Sequence, residues 1–277
     1  PRFGSFIELY GVEETITLID QALNGDFVAM NPVDETLLKF KPRAADGSER
    51  MAFTIDPAIF NTFPDARFGV MVVTGLKNGP SSEAVQDLLA VQCAETAASL
   101  GDTPITEHSM IAPWREAYKT FGAKPKKYPS SIEALYRRVG KGDILPSINT
   151  LVDLYNIISI RYGLPLGGED LDAMQGDLRL TFAGDDETPV TVLGENEAKA
   201  PEPGEVIYKD DIGTICRRWN WREVERTTLK DGTSNAILVL ETLDPNGMEI
   251  LVQALTDLEA LVRDHGGDGV GITTSLL

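Results

Sequence analysis

The sequence is short of cations, histidine and cysteine. Against 43 Asp and Glu it carries 25 Lys and Arg, a formal charge of −18. That balance disfavours tight non-specific binding to nucleic acid, because each phosphate would approach against the field of the whole chain; DNA is not an expected partner. Two cysteines, Cys93 and Cys216, form neither a disulfide framework nor a metal-ligand spacing. With His108 and His265 the only histidines, a zinc site is not expected. No apolar run approaches the roughly 18 residues of a membrane-spanning helix, so no membrane partner is expected. The N-terminus shows no basic stretch followed by an apolar core, the mark of a signal peptide. A glycine-rich phosphate loop, a GxSxG elbow and an HExxH pair are also missing, and no cofactor is expected. These features point to a reducing cytoplasm.

What is present reads as a globular protein of one or two domains. Of 277 residues, 42% are hydrophobic and 25% charged. Residues 1–50 read as a separate N-terminal extension, with strands at FIELYG and FVAM, a helix at EETITLIDQALNG and a polar linker at KPRAADGSER. Residues 51–277 read as the main domain. FTID and ARFGVMVVTGL read as strands, with a helical turn at PAIFNTF between them. SSEAVQDLLAVQCAETAASLG, with a serine cap and a glycine stop, SMIAPWREAYKTFG, starting near Pro113, PSSIEALYRRVG, and SINTLVDLYNIISIRYGLP, ended by Pro165, read as helices. The second half is read as strands at DLRLTFAG, PVTVLG, EVIYKDD, GTICRRWNW, ERTTLKDG and NAILVLETL. A final helix covers NGMEILVQALTDLEALVRDHGG, capped near Asn246 and ended by Gly266 and Gly267. The fold class expected is α/β (mixed α+β), a mixed sheet layer with helical cover.

Charge is unevenly placed. Trp114 to Lys141 holds eight Lys or Arg against two Glu, whereas Asp185 to Asp211 holds nine acidic residues against two lysines. The basic stretch is either a solvated helix face or a place to receive an anion. Within CRRWNWRE, residues 216–223, period-two alternation puts Cys216, Arg218, Asn220 and Arg222 on one strand face and Arg217, Trp219, Trp221 and Glu223 on the other. The first face presents guanidinium forks and an amide suited to a phosphate or carboxylate, with Trp219 and Trp221 walling a cavity. Arg218→Ala is therefore expected to weaken ligand binding while sparing the fold. Cys216 beside Arg218 would have a lowered thiol pKa, though packing is the more ordinary role of a strand cysteine. Asn149, Asp153 and Asn156 fall along a helical seam able to hold an amino group or a water; helix capping is the ordinary role of Asn149. Glu133, three residues after Ser130, has capping-box spacing. Arg138 is the better ligand candidate of the pair Arg137 and Arg138. Thr233 and Asn235 suit a turn, and Trp114 a core anchor.

Three blocks carry a family resemblance: SSIEALYRRVG (130–140), LPSINTLVDLYNIISIRYGLPLGGEDLDAMQGDLRL (145–180), and the stretch from PGEVIYKDD to ILVLETL (203–243). They resemble the tRNA-editing (B3/B4-type) domain of the phenylalanyl-tRNA synthetase beta subunit, in free-standing form. The family's N-x-x-V-D-x-x-N helix, glycine, Pro-Leu pair, Asp and glycine match Asn149, Val152, Asp153, Asn156, Gly163, Pro165, Leu166, Asp170 and Gly176. The resemblance implies a three-layer β/β/α fold with mixed sheets and an amino-acid-sized pocket between helix and sheet. It implies a trans-editing hydrolase that deacylates mischarged aminoacyl-tRNA, with the acceptor end as partner. The alternative is a non-catalytic module that holds a free amino acid or small anion in the same pocket. Substrate-binding residues expected are Asn149, Asp153, Asn156, Arg138, Arg218, Asn220, Trp219 and Arg222; no catalytic residue is assigned. Gly167 stands where the family typically has histidine, and CRRWNWRE replaces a glycine-rich segment, so tyrosine selectivity is not carried over.

Overall fold

The computed structural model describes residues 53–277. The elements expected within 1–50, and the boundary expected at Met51, lie outside the described residues. Five strands, β1 (Phe53–Ile55), β4 (Leu178–Phe182), β5 (Val206–Lys209), β6 (Thr214–Arg217) and β7 (Arg222–Glu223), form one sheet in that order. β1 runs parallel to β4 and the other pairs are antiparallel, which makes the sheet mixed. A second sheet, in the order β3 (Leu166–Asp170), β8 (Ala236–Thr242), β2 (Arg67–Thr74), β9 (Gly271–Leu276), is antiparallel throughout. Six helices complete the described residues: α1 (Pro57–Thr62), α2 (Glu83–Leu100), α3 (Ala112–Thr120), α4 (Ser131–Val139), α5 (Thr150–Tyr162) and α6 (Met248–His265).

Period-two alternation within the central strands sets the layers. On β2, Phe68, Val70 and Val72 join a core with Phe53, Leu180, Val206 and Ile215 of the five-stranded sheet. Met71 and Val73 point the other way, into a core with Leu151 and Ile158 of α5 and Leu255 and Leu258 of α6. β8 divides likewise, Ile237 and Val239 to the first core and Leu238 and Leu240 to the second. The four-stranded sheet is thus a middle layer, apolar on both faces, which is why all seven residues of β8 are buried. The result is a mixed α+β fold of two sheets and a helical layer.

Local chemistry sets the helix ends as the sequence predicts. Ser82 and Ser130 accept hydrogen bonds from the backbone N–H of Val85 and Glu133. Gly163 closes α5 at φ 70°, and a Cβ there would lie 2.7 Å from the Tyr136 hydroxyl, so only glycine fits. Several strands differ from expectation. PVTVLG makes isolated bridges only, Val190 with Lys199 and Val192 with Val224. ERTTLKDG holds a 3-10 turn at Glu225–Thr227 instead of a strand. α6 starts at Met248 with no side-chain cap, so Asn246 does not cap it. LGGED, not expected as a strand, is the edge strand β3, and GITTSL closes the other edge as β9.

Candidate functional site: a cavity with a glutamate interior

CRRWNWRE is not one strand. β6 ends at Arg217, and β7 begins at Arg222. Between them Arg218 and Trp219 have positive φ, 48° and 64°, the left-handed region that L-residues rarely occupy. Surrounding contacts hold this turn. Arg217 forms a buried fork with Glu205, at 3.0 and 2.8 Å, and the Arg218 N–H donates to the same carboxylate at 3.0 Å. The Trp219 N–H donates to the Val206 carbonyl at 2.6 Å. Its ring, fully buried, packs 4.9 Å from Phe63 and 5.1 Å, edge on, from Trp114. Trp114 is the core anchor its sequence context predicts.

The turn breaks the alternation expected for residues 216–223. Arg218 does not share a face with Asn220 and Arg222. Its guanidinium lies 3.7 Å from the centre of the Tyr128 ring and 4.8 Å from that of Trp221, outside the cavity lining. Cys216, Trp219, Asn220, Trp221, Arg222 and Glu223 instead converge on one cavity of about 440 Å³, the size range of a small-molecule site. Its other walls come from α4 (Ser131, Arg138), α5 (Tyr155, Asn156), β3 (Leu166 to Glu169) and β8 (Ile237, Val239, Glu241). It sits where the two sheets meet the helical layer.

Three glutamates face this interior. Glu241 is 3% exposed. It accepts hydrogen bonds from the Tyr208 hydroxyl, from Trp219 Nε1 at 2.8 Å and from Asn220 Nδ2 at 2.6 Å. Burial nonetheless pushes its carboxyl up to about 7. Glu169 on β3 is 8% exposed, and its Oε2 is buried without a hydrogen-bond partner among the described residues. Burial, then the neighbouring Glu223 charge, pushes its carboxyl well up. Burial likewise raises Glu223 to about 7. Ser131 Oγ, on the α4 wall, is a second buried oxygen with no partner among the described residues. The Cys216 thiol is pushed well up, by burial first and then by Glu169, Glu223 and Glu241. The lowered thiol pKa expected from Arg218 is thus reversed: the arginine points away and three carboxyls take its place.

The predicted site residues separate into two groups. Arg138, Asn156, Trp219, Asn220 and Arg222 line the cavity. Asn156 is half-buried, while Arg138 and Arg222 are exposed at the mouth, Arg222 donating to the Leu193 carbonyl at 3.0 Å. Asn149, Asp153 and Arg218 lie outside the lining. Asn149 caps α5, accepting from the Val152 N–H at 3.1 Å and donating to the Leu229 carbonyl at 3.0 Å. Asp153, fully buried, accepts from Ser81 Oγ at 2.6 Å, from the Ile148 N–H at 2.9 Å and from Ser147 Oγ. Open donors in the first turn of a helix and in adjoining loops require acceptors, and these two residues supply them. Glu133 caps nothing: it joins Arg115 and Arg137, each at 2.6 Å. Thr233 and Asn235 serve the turn, through Asp170 and Asp172.

Sequence reasoning missed Glu169, Glu223, Glu241 and Tyr208. One signal was available for Glu241, a lone carboxylate within the apolar run AILVLETL.

The B3/4 domain model matches residues 113–255, a span that contains every residue of the cavity lining. Among solved structures, the chain is similar to an N-terminal fragment of the phenylalanyl-tRNA synthetase beta subunit from Pyrococcus horikoshii, at 13% identity and a TM-score of 0.41. That alignment covers 85% of this chain and 54% of the other, so the chain spans about half the length of the fragment. No curated protein matches it. With more than half of its length matched by the family model, the chain belongs to the B3/4 domain family.

Proposed function

We propose that the protein hydrolyses the ester of mischarged aminoacyl-tRNA in trans, with the aminoacyl group in the glutamate-lined cavity. The observation that carries this reading is the polarity of the cavity. Exposed cations, Arg138 and Arg222, stand at its mouth, and near-neutral carboxyls stand inside. Lys124, Lys126 and Lys127, all exposed, extend the basic stretch before α4. Phosphates of an acceptor end suit the mouth, and an amino acid suits the volume within.

An aminoacyl ester is already activated, so a held water and a few hydrogen-bond donors suffice for hydrolysis. Asn156 offers an amide donor on the wall. Glu241 is engaged by three donors and Cys216 is held as a thiol, which leaves Glu223 as the carboxyl suited to take a proton from water near pH 7. Deacylation of a panel of mischarged tRNAs tests the reading. Turnover above the spontaneous rate for at least one is expected, falling about 100-fold in Glu223→Gln; no turnover on any of them refutes it.

The engagement of Glu241 and the protonated state of Cys216 also favour a second reading, a pocket that binds a free amino acid without chemistry. Stabilisation by free amino acids with no effect on any charged tRNA would favour it. A small anion suits this pocket poorly, since three carboxyls face the interior.

A further inference from the structure

The glutamates divide the cavity into two chemically different ends. At the mouth are Arg138 and Arg222, both exposed, with Leu193 beside them. At the interior are Glu169 and Glu241, 8% and 3% exposed, against the fully buried Ile237 and Trp219. An aminoacyl-tRNA is connected to its nucleic acid at the carboxyl carbon. Its phosphates therefore stay at the cationic mouth and its amino-acid side chain enters first.

The interior end is not equally satisfied throughout. Glu241 has three donors on its two oxygens. Glu169 Oε2 makes no hydrogen bond among the described residues, although it is buried and faces the cavity; the nearby Thr227 hydroxyl, itself unpaired, stands outside hydrogen-bond geometry. A buried carboxyl oxygen without a partner is destabilising, and a ligand donor placed there would recover that loss. The cations of the neighbourhood are committed elsewhere. Arg226, whose charge acts on Glu169, holds Asp210 at 2.9 and 2.8 Å and the Ala173 carbonyl at 3.2 Å. Glu223, Glu241, Asp210, Tyr155, Tyr208 and Cys216 are the other titratable groups facing Glu169 or its cavity wall, and none of them is a cation.

We propose that the cavity selects amino acids with a cationic side chain, whose terminal ammonium pairs with Glu169. The inference rests on the deacylase reading for the orientation of the ligand, and names the substrate class of that site. Lysine and ornithine are the chemical type: an apolar methylene stem suited to Leu166, Ile237 and Val239, ending in an ammonium that meets carboxyls. In the empty site burial favours the protonated form of Glu169. An arriving ammonium takes the place of a proton, so binding releases one.

Calorimetric titration of the whole chain with L-lysinamide, L-ornithinamide and L-norleucinamide tests this without tRNA. All three carry the same α-ammonium, and only the first two carry a second. At pH 8, lysinamide or ornithinamide is expected to bind at least tenfold tighter than norleucinamide. The preference is expected to shrink as the pH falls from 8 toward 6, because the ligand ammonium then competes with a proton. Glu169→Gln is expected to remove it, with norleucinamide affinity retained as the control for folding. Equal or tighter binding of norleucinamide, no binding of any of the three, or a preference that persists in Glu169→Gln overturns the proposal. Failure here is distinguishable from failure of the deacylase reading. A protein that clears only apolar residues from tRNA keeps its reaction and loses this selectivity, and one that binds lysinamide but deacylates nothing does the reverse.

Discussion

Asp153 takes two serine hydroxyls and a backbone N–H while fully shielded from water. Ser81 precedes α2, and Ser147 and Ile148 precede α5, so one carboxylate ties two connections together. Asp153→Ala leaves three donors in the interior without an acceptor and should cost about 3 kcal/mol in urea unfolding, while Asp153→Asn, which keeps one oxygen, costs less. At this scale the caps were legible in the sequence. Ser82, Ser130 and Asn149 each act on an N–H group three residues away, and such chemistry is contained in a short window. The cavity carboxyls were not. Glu169 lies opposite Ile237, and Glu223 opposite Cys216. Those registers join segments that are distant or separated by an irregular turn, and no local pattern encodes them.

Between β6 and β7 the left-handed pair Arg218 and Trp219 decides which side chains reach the cavity. Arg218 contributes two opposing effects there, strain in its backbone and a cation held over the Tyr128 ring. Substituting Arg218→Ala removes the cation and keeps the strain; Arg218→Gly removes both. The glycine variant should therefore be more stable than the alanine variant by about 1 kcal/mol, measured by thermal or urea unfolding. Equal stabilities would mean that the turn stores no strain at this position. A strand reading of GTICRRWNW was natural because every residue in it is compatible with a sheet. What ends β6 is the buried Arg217–Glu205 fork and the burial of Trp219 against Phe63 and Trp114, both long-range events. β3 went unread for the converse reason. Two glycines conceal a strand in sequence, yet a Cβ on Gly168 would lie 2.4 Å from Leu238 Cδ2, so the sheet requires glycine there.

For the molecule as a whole, acidity and burial act on stability in the same direction. Glu241 titrates near 7 in the folded state against an ordinary 4.5, so the folded form retains a proton that the unfolded chain has released. Stability from this group therefore falls as pH rises from about 4.5 to about 7 and is level above, a loss of up to about 3 kcal/mol. The formal charge of −18 adds self-repulsion as carboxyls ionise. Urea unfolding should accordingly give a higher free energy at pH 5.5 than at pH 8. Added salt should recover the repulsive part at pH 8 and leave the Glu241 part, since that carboxyl is shielded from solvent ions. A free energy that rises across this window would contradict the buried position of Glu241.

Gly167 adjoins these glutamates from the exposed edge of β3. A Cβ built there meets nothing within 4 Å. The chamber can therefore be narrowed or given a new functional group from this one position, with the layers behind it undisturbed. What the chamber admits is thus free to drift by single codon changes at a point that contributes almost nothing to holding the fold.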